Sequence, residues 1–428
     1  MRRTLLYFLT VVFLGGLVGG SLWAMDFDWG LTLDNAVSAR GSEMLSESEW
    51  SEDFVAALWG RAYRQNANGG SLDLTVQGSY TYSLERPYIF DLDLLRFTGI
   101  FPGRSVIELT AGRFVFQDVT GMILDHPADG LLVDFLFPKA QIQLGGAYTG
   151  LLLNPRSDIR VSKDDFVEAD DDSVTLGPSR ALVQASITIP GALWYQIMTL
   201  QALAQFDLRD DDMAEIIHTQ YLGLFTSWRL SRNFYLDSHL TLSSGLSPGT
   251  IKDTWIFSFL YGIGLLYFNE EMVSSRAHLK LYYSSGFIPL VLLAENFSLD
   301  VFRPINQPIN GLVFNPGLGN IMWAELLYTF RPLVRNPNRS LANIQPGLAV
   351  RPYFRSTMSN VDFVYFDPTS DGMYLGTEIE ASLVARVFSD LGLSLRTGVF
   401  LPGTEGFGVF TDERKPEFLV KVEISTGL

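Results

Sequence analysis

The sequence contains no cysteine, which removes disulfide frameworks, thiolate metal sites and the acylated cysteine of a lipoprotein together. Histidine is scarce: His126, His218, His239 and His278 lie scattered, with no His-Glu-x-x-His spacing, so neither a metal site nor a cofactor is expected. Long apolar runs are missing after the N-terminus. The longest, Phe287 to Ala294, falls far short of the roughly 20 residues a membrane helix needs. Positive charge is also in short supply: 31 Lys+Arg against 47 Asp+Glu give a formal charge of -16, which excludes nucleic acid as an expected partner.

What the chain does have is a beginning built for export. MRRTLLYFLTVVFLGGLVGGSLWA places Arg2 and Arg3 before an apolar run from Leu5 to Val18, with small residues ahead of Ala24. That pattern predicts a signal peptide over 1–24 and a single domain over 25–428. Apolar residues make up 47% and aromatics 13% of the chain, with 38 glycines, a composition suited to many short strands. A large, hydrophobic, exported chain without spanning helices has the profile of a bacterial outer-membrane barrel.

Period-two alternation supports this reading throughout the chain. In SLDLTVQGSYTYS, Leu72, Leu74, Val76, Tyr80 and Tyr82 alternate with Asp73, Thr75, Gln77 and Ser79. In ALVQASITI, Ala181, Val183, Ala185, Ile187 and Ile189 alternate with Gln184, Ser186 and Thr188. Eighteen such ribbons are expected, near 27–36, 53–65, 72–84, 88–99, 104–117, 129–137, 140–150, 178–189, 193–208, 215–230, 233–245, 253–268, 274–286, 317–331, 342–355, 373–389, 391–401 and 416–428.

The gaps between ribbons separate a membrane barrel from a soluble sandwich. All the very long ones, 37–52, 151–177, 287–316 and 356–372, follow odd-numbered ribbons, while those after even-numbered ribbons are mostly short, such as NANGG, FPGR and Pro138-Lys139. An outer-membrane barrel sorts its connections in this way, into short periplasmic turns and long external loops. The expected fold is therefore all-β, a closed antiparallel transmembrane β-barrel of 18 strands embedded in outer-membrane lipid. Two gaps fit poorly, ERP after the third ribbon and 332–341, and merging or splitting strands there would give 16. Aromatics near strand ends, including Tyr80, Tyr82, Phe114, Phe116, Tyr148, Trp228, Tyr267, Trp323, Tyr328 and Phe330, fit girdles at the membrane interfaces.

Three stretches carry resemblances. YLGTEIEASLVARVFSDLGLSLRTGVFLPG, with Gly376, Glu378, the Asp390 turn and Phe400-Leu401-Pro402-Gly403, resembles the penultimate hairpin of the alginate-export-type outer-membrane porins. TAGRFVFQDVTGMILDHPADGLLVD, 110–134, resembles a porin element in which a Gly-Arg pair is followed by a loop and an Asp-Gly. Arg113 falls there on the lipid parity, so lumen placement requires a bulge near Gly112. The last residues, PEFLVKVEISTGL, resemble the closing strand by which barrel-assembly machinery recognises its clients, with Leu428 in place of the usual aromatic.

Ionised side chains on polar parity should face a wet lumen, because each would cost a few kcal/mol against lipid. Arg229, Arg276, Lys280, Arg331, Arg351, Arg386, Arg396 and Lys421 stand against Asp73, Glu108, Asp207, Asp237, Glu325, Glu378, Glu380 and Glu423. The candidate pore-lining residues are Arg229, Arg276, Lys280, Glu325, Glu378, Glu380, Arg386 and Arg396. Across all eight basic and eight acidic side chains on polar parity the signs nearly cancel, unlike the cationic path an alginate exporter needs. No catalytic residue is expected. GLSPG at 245–249 matches Gly-x-Ser-x-Gly, but Pro248 has no N–H for an oxyanion hole. The acidic run DDFVEADDDS, 164–173, lacks calcium-loop spacing and reads as solvated loop.

These features point to passive diffusion of small hydrophilic solutes through the barrel. The alternative is a non-conducting surface protein that displays the loops 151–177, 287–316 and 356–372. The apolar FIPLVLLA and the Pro-rich VFRPINQPIN make 287–316 a packed loop rather than a floppy one, without fixing whether it folds inward.

Overall fold

The computed structural model describes residues 25–42, 48–84, 86, 88–169, 171, 173–192, 196–209, 216–247, 254–270, 273–289, 297–359, 361, 364, 370–404, 406–411 and 413–428. The expected signal peptide, the tip of GLSPG and most of FIPLVLLA lie outside them.

Eighteen barrel strands follow the alternation read from the sequence: β1 Asp26–Gly41, β2 Glu49–Gln65, β3 Ser71–Ser83, β4 Ile89–Phe101, β5 Val106–Gln117, β6 Asp125–Phe137, β7 Ala140–Tyr148, β8 Arg180–Pro190 and β9 Ile197–Asp207. The second half comprises β10 His218–Arg229, β11 Phe234–Ser247, β12 Thr254–Asn269, β13 Ser275–Ser284, β14 Ile321–Thr329, β15 Gln345–Arg355, β16 Tyr374–Arg386, β17 Leu391–Pro402 and β18 Glu417–Gly427. Each pairs antiparallel with its sequence neighbour. β1 pairs with β18, Thr32 opposite Gly427 through Gly41 opposite Phe418, so the barrel has no open edge. Between β13 and β14, Phe297–Leu299 adds a short parallel pairing to β12.

One end carries the short turns, at 66–70, 102–105, 138–139 and 387–390 among others, and the opposite end carries the long connections 149–179, 285–320 and 356–373. The expected loop 37–52 is shorter than its sequence suggests. Val37 pairs with Glu52 and Ala39 with Trp50, and the Ser38 and Ser51 hydroxyls hydrogen-bond at 2.7 Å. Polar residues at the rim hide strand periodicity there, because both faces of a rim are wet. The turn 330–344 is longer than its counterparts because it contains a helical turn, Arg339–Ala342, started by Asn338, whose side chain accepts from the Ser340 N–H.

The pleat sorts side chains by parity. Trp29, Leu58, Val183, Leu242, Leu326 and Leu348 all project outward and are exposed, forming an apolar outer face too extensive to leave in water. Tyr80 and Phe90 pack on that face with ring centroids 4.9 Å apart. Phe114, Phe116 and Trp323 depart from the girdle expectation: they point inward and are buried. Parity, not closeness to a strand end, decides the face.

The interior is packed towards the long-loop end. Leu124, Leu152, Ile159, Phe302, Ile305 and Leu318 are almost completely buried, and all belong to connections folded into the barrel mouth. Burying several such side chains stabilises the inward loops by roughly 1.5–3 kcal/mol each.

Candidate functional site

The hairpin β16–β17 seats the largest inward loop. Gly376 has φ +143, and a Cβ there would crowd the Leu401 carbonyl and the Phe400 ring. Its left-handed backbone accompanies a register shift between Tyr353 and Phe354 on β15. Glu378, fully buried, then projects towards residues 300–316. Its carboxylate accepts hydrogen bonds from the backbone N–H groups of Leu312 at 2.8 Å, Val313 at 2.9 Å and Phe314 at 2.7 Å, and from Arg351 at 2.9 Å. Four donors meet the hydrogen-bonding needs of this buried carboxylate.

The neighbouring residues shape the same seat. Gly398 leaves room for the Val313 side chain, which a Cβ would meet at 2.7 Å. Phe400 stacks on Phe314, and the Tyr353 hydroxyl donates to the Asn310 carbonyl at 3.0 Å. Further along the loop, the Tyr221 hydroxyl donates to the Arg303 carbonyl at 2.7 Å, and the Ile305 N–H donates to the Ile123 carbonyl at 2.9 Å. Ile159 bridges Asn306. Connections from three parts of the chain thus meet in one dry core within the barrel.

The connection 149–179 is fixed by buried charge. Arg180 donates to both oxygens of Asp165, at 2.9 and 2.7 Å, and lies 3.1 Å from Asp207. Arg209 contacts Asp207 at 2.8 Å, Asp165 at 3.1 Å and Glu168 at 3.3 Å. Burial disfavours the Arg209 charge, but the hydrogen bond to Asp207 and the charges of Asp165, Asp207 and Glu168 outweigh it and raise its pKa. Asp165 and Glu168 belong to a short helix, Lys163–Ala169, inside the acidic run. Both arginines occupy its carboxylates, so part of the expected solvated loop is an anchor.

The Gly-Arg and Asp-Gly elements also meet. Gly112 pairs with Gly130 and Arg113 with Asp129, and the guanidinium donates to both Asp129 oxygens at 3.0 and 2.9 Å. Gly112 sits at φ +110, where any Cβ would overlap the Leu95 carbonyl. The register runs unbroken through Gly112 on both sides, so the expected bulge is absent and only this left-handed backbone marks the position. Arg113 is buried and also donates to the Leu92 and Leu151 carbonyls, each at 3.0 Å, tying β4 and the 149–179 connection together.

The candidate pore-lining residues fall into two groups. Lys280, Glu325, Glu378 and Glu380 come together with Arg351. Lys280 to Glu325 is 3.2 Å, Arg351 to Glu325 is 2.7 Å, and Arg351 to Glu378 and Glu380 is 2.9 and 2.7 Å. This row crosses β13 to β16, and its two cations and three carboxylates pair with one another, leaving one negative charge over.

Arg229, Arg276, Arg386 and Arg396 remain outside the row, all exposed. Arg229 sits over the Tyr235 ring at 6.0 Å and Arg276 over Phe268 at 5.4 Å, both at the short-turn rim. Arg386 lines a 590 Å³ opening with Asp34, Asp53 and Glu423. Arg386 pairs with Gly392, and Arg396 with Ser382, so the two arginines are offset by four residues, roughly 13 Å along the barrel. Sequence reasoning missed Asp165, Arg180 and Arg209, because their partners are brought together by loops rather than by parity. Among the described residues no group of three metal-capable side chains occurs.

Solved structures share this architecture. OccK5 (OpdH) of Pseudomonas aeruginosa superposes with a TM-score of 0.59 at 13% identity over 94% of this chain and 98% of that one. OccK2 (OpdF) of the same organism, solved in complex with glucuronate, gives 0.58 at 16% identity over 94% and 97%. The outer membrane protein opdK from that organism gives 0.57 at 13% over 94% and 99%. The fold is common to all of them. Identity this low carries the fold and nothing further. No family model and no curated protein matches the sequence.

Proposed function

We propose that the chain is a bacterial outer-membrane channel for the passive diffusion of small hydrophilic solutes. The observation that carries this reading is the closed barrel with an apolar outer face and ionised side chains within. Lipid suits the first and water the second. The long connections then lie outside the cell and the short turns in the periplasm. β18, which closes the barrel against β1, is suited to presentation to barrel-assembly machinery, and 1–24 to removal on export.

Two further readings lose support. The display scaffold needs free loops, but 149–179 is anchored by Arg180 and Arg209 and 300–316 by Glu378. The alginate-export likeness extends to the shape of a hairpin: Gly376, Glu378 and Phe400 serve loop docking, and the paired row beside them offers no cationic track for a polyanion. No enzymatic role is assigned to the four histidines, which lie on separate strands, β6, β10, β11 and β13.

Conductance of the purified protein in a planar bilayer tests the proposal. Discrete, ohmic current steps are expected. A protein that inserts, shows the heat-dependent gel mobility of a folded barrel and carries no current would overturn it.

A further inference from the structure

The inward loop crosses the bore. At one end of the segment 306–310, the Asn306 side chain accepts from the backbone N–H of Asp125, the first residue of β6, at 2.7 Å, and Asn306 bridges Ile159 of the 149–179 connection. At the other end, the Asn310 carbonyl accepts from the Tyr353 hydroxyl of β15 at 3.0 Å, two residues before the first backbone N–H held by Glu378 of β16. β6 and β15 are nine strands apart whichever way round the barrel is followed, so the two anchors belong to opposite walls. The segment is a strap, at most about 14 Å long between its anchored ends, and Tyr353 reaches in to meet it.

The two sides of the strap differ. On the β9–β11 side, the inward-facing Gln205, Thr219, Thr241 and Ser243 are buried, although polar side chains on a lumen wall would ordinarily meet water. The connection 118–124 folds over this wall. The Val119 N–H donates to the Gln201 side chain of β9 at 3.0 Å, and only 10 Å³ of space remains between Val119, Thr120 and Ile123 on one side and Tyr221 and Thr241 on the other. On the β16–β1 side, Arg386, Arg396 and Asp34 are exposed, and the 590 Å³ opening lies against β16, β17, β18, β1 and β2. One side of the bore is filled and the other is open.

We propose that the strap confines the path to the β16–β1 side of the bore and that Ile309 is the specificity-determining side chain there. Every other residue from Phe302 to Asn310 is buried or half-buried, whereas Ile309 is 85% exposed. Its apolar surface stays in water although the same loop carries dry core, and Pro308 beside it restricts the backbone that holds it there. With the β9–β11 side filled, the space that Ile309 meets is the open side. Its side chain offers a passing solute no hydrogen bond, so a solute clears it by size and by how readily it sheds hydration water, as at other apolar constrictions.

The inference rests on the channel reading, and its test separates the two. The chain has no cysteine, so single cysteines report without background. Three are placed: Ile309→Cys on the strap, Ser382→Cys on the open wall as the cross-strand partner of Arg396, and Ser243→Cys on the filled wall. Each is treated with a cationic methanethiosulfonate. Labelling is read by mass on the detergent-solubilised protein, and its effect by single-channel current before and after treatment. Ile309→Cys and Ser382→Cys should label and lose current, while Ser243→Cys should do neither. Without reagent, Ile309→Gly should raise the current and Ile309→Trp should lower it. Should Ser243→Cys fail to fold, Thr241→Cys takes its place. An Ile309→Cys protein that labels with no change of current, or does not label at all, would overturn the role of Ile309. A filled-wall cysteine that labels and loses as much current as Ser382→Cys would overturn the one-sided path. The expected labelling pattern in a protein that carries no current would retain the one-sided bore and overturn the channel.

Discussion

Phe314 of the inward loop stacks on Phe400 of β17 with ring centroids 4.1 Å apart and planes within 8°. Phe400 and Glu378 are cross-strand partners, so one pair of residues supplies both the apolar and the polar half of the seat. Such a stack is worth about 0.5–1.5 kcal/mol beyond its buried area, and the carboxylate satisfies three backbone N–H groups as well.

Releasing this loop should widen the conduit without opening the barrel. Glu378→Gln has one acceptor oxygen in place of two and leaves Arg351 to Glu325 and Glu380. Phe400→Ala removes the stack. Both variants should remain heat-modifiable on gels and show larger, noisier current steps than wild type, with the double variant larger still. Steps of wild-type size would mean that residues 300–316 do not restrict the path.

Backbone strain gives a sharper expectation at one position. Gly112→Ala puts a Cβ into the Leu95 carbonyl at a left-handed φ, a cost of at least about 1–3 kcal/mol, and disturbs the Arg113–Asp129 pairing. The folded, fast-migrating band should be lost or should appear at lower temperature. Gly60→Ala, where a Cβ meets nothing within 4 Å, should behave as wild type. Equal thermal mobility shifts for the two variants would show that the Gly112 conformation is not required.

These cases mark how far the sequence alone carries. Most strand positions and the alternation of short and long connections follow from period-two alternation, because one face of each strand meets an apolar exterior and the other a polar interior; the rims, as at 37–52, do not. Alternation says nothing about what fills that interior. Phe114, Phe116 and Trp323 have the composition of girdle residues, and only parity against their neighbours turns them inward. Asp165 sits in an acidic run that resembles solvated loop, and its burial depends on Arg180 and Arg209 arriving from strand ends 15 and 44 residues later.

The buried cluster should control protease access to the long connection. Arg180→Met leaves Asp165 and Asp207 with Arg209 alone, and removing one partner of a buried charge network costs about 3–5 kcal/mol locally. Trypsin should then cut at Arg160 or Lys163 in a protein that is otherwise still a folded barrel, whereas the wild type resists. Alkali should not mimic the variant. A raised arginine pKa contributes stability that is fully present below the ordinary arginine range, so the wild-type resistance should persist to about pH 10. Cleavage of the wild type in mild alkali would contradict the assigned pairing.

The sidedness of the barrel can be read with a tag. Asp171 lies at an exposed point of the 149–179 connection, on the long-loop end. An epitope inserted there should bind antibody on intact cells. Binding only after permeabilisation would place the long loops in the periplasm and invert the proposed topology.

Ion selectivity should be weak and should depend on the residues left outside the paired row. Lys280, Glu325, Arg351, Glu378 and Glu380 are paired with one another, so a change there mainly perturbs packing. Arg386 and Arg396 are exposed and more than a Debye length of roughly 8–10 Å apart in ordinary buffer, and in the proposed channel they line the path. Arg386→Glu and Arg396→Glu should each move the reversal potential in a salt gradient towards cation preference, and the shifts should add, because sites this far apart couple little. Lys280→Met and Glu325→Met should be non-additive, since Glu325→Met strands Lys280 whereas Lys280→Met leaves Glu325 with Arg351. Additivity in the second pair together with coupling in the first would reverse the assignment of which charges the passing ion meets. An unchanged reversal potential in a conducting Arg386→Glu, Arg396→Glu protein would remove both arginines from the path.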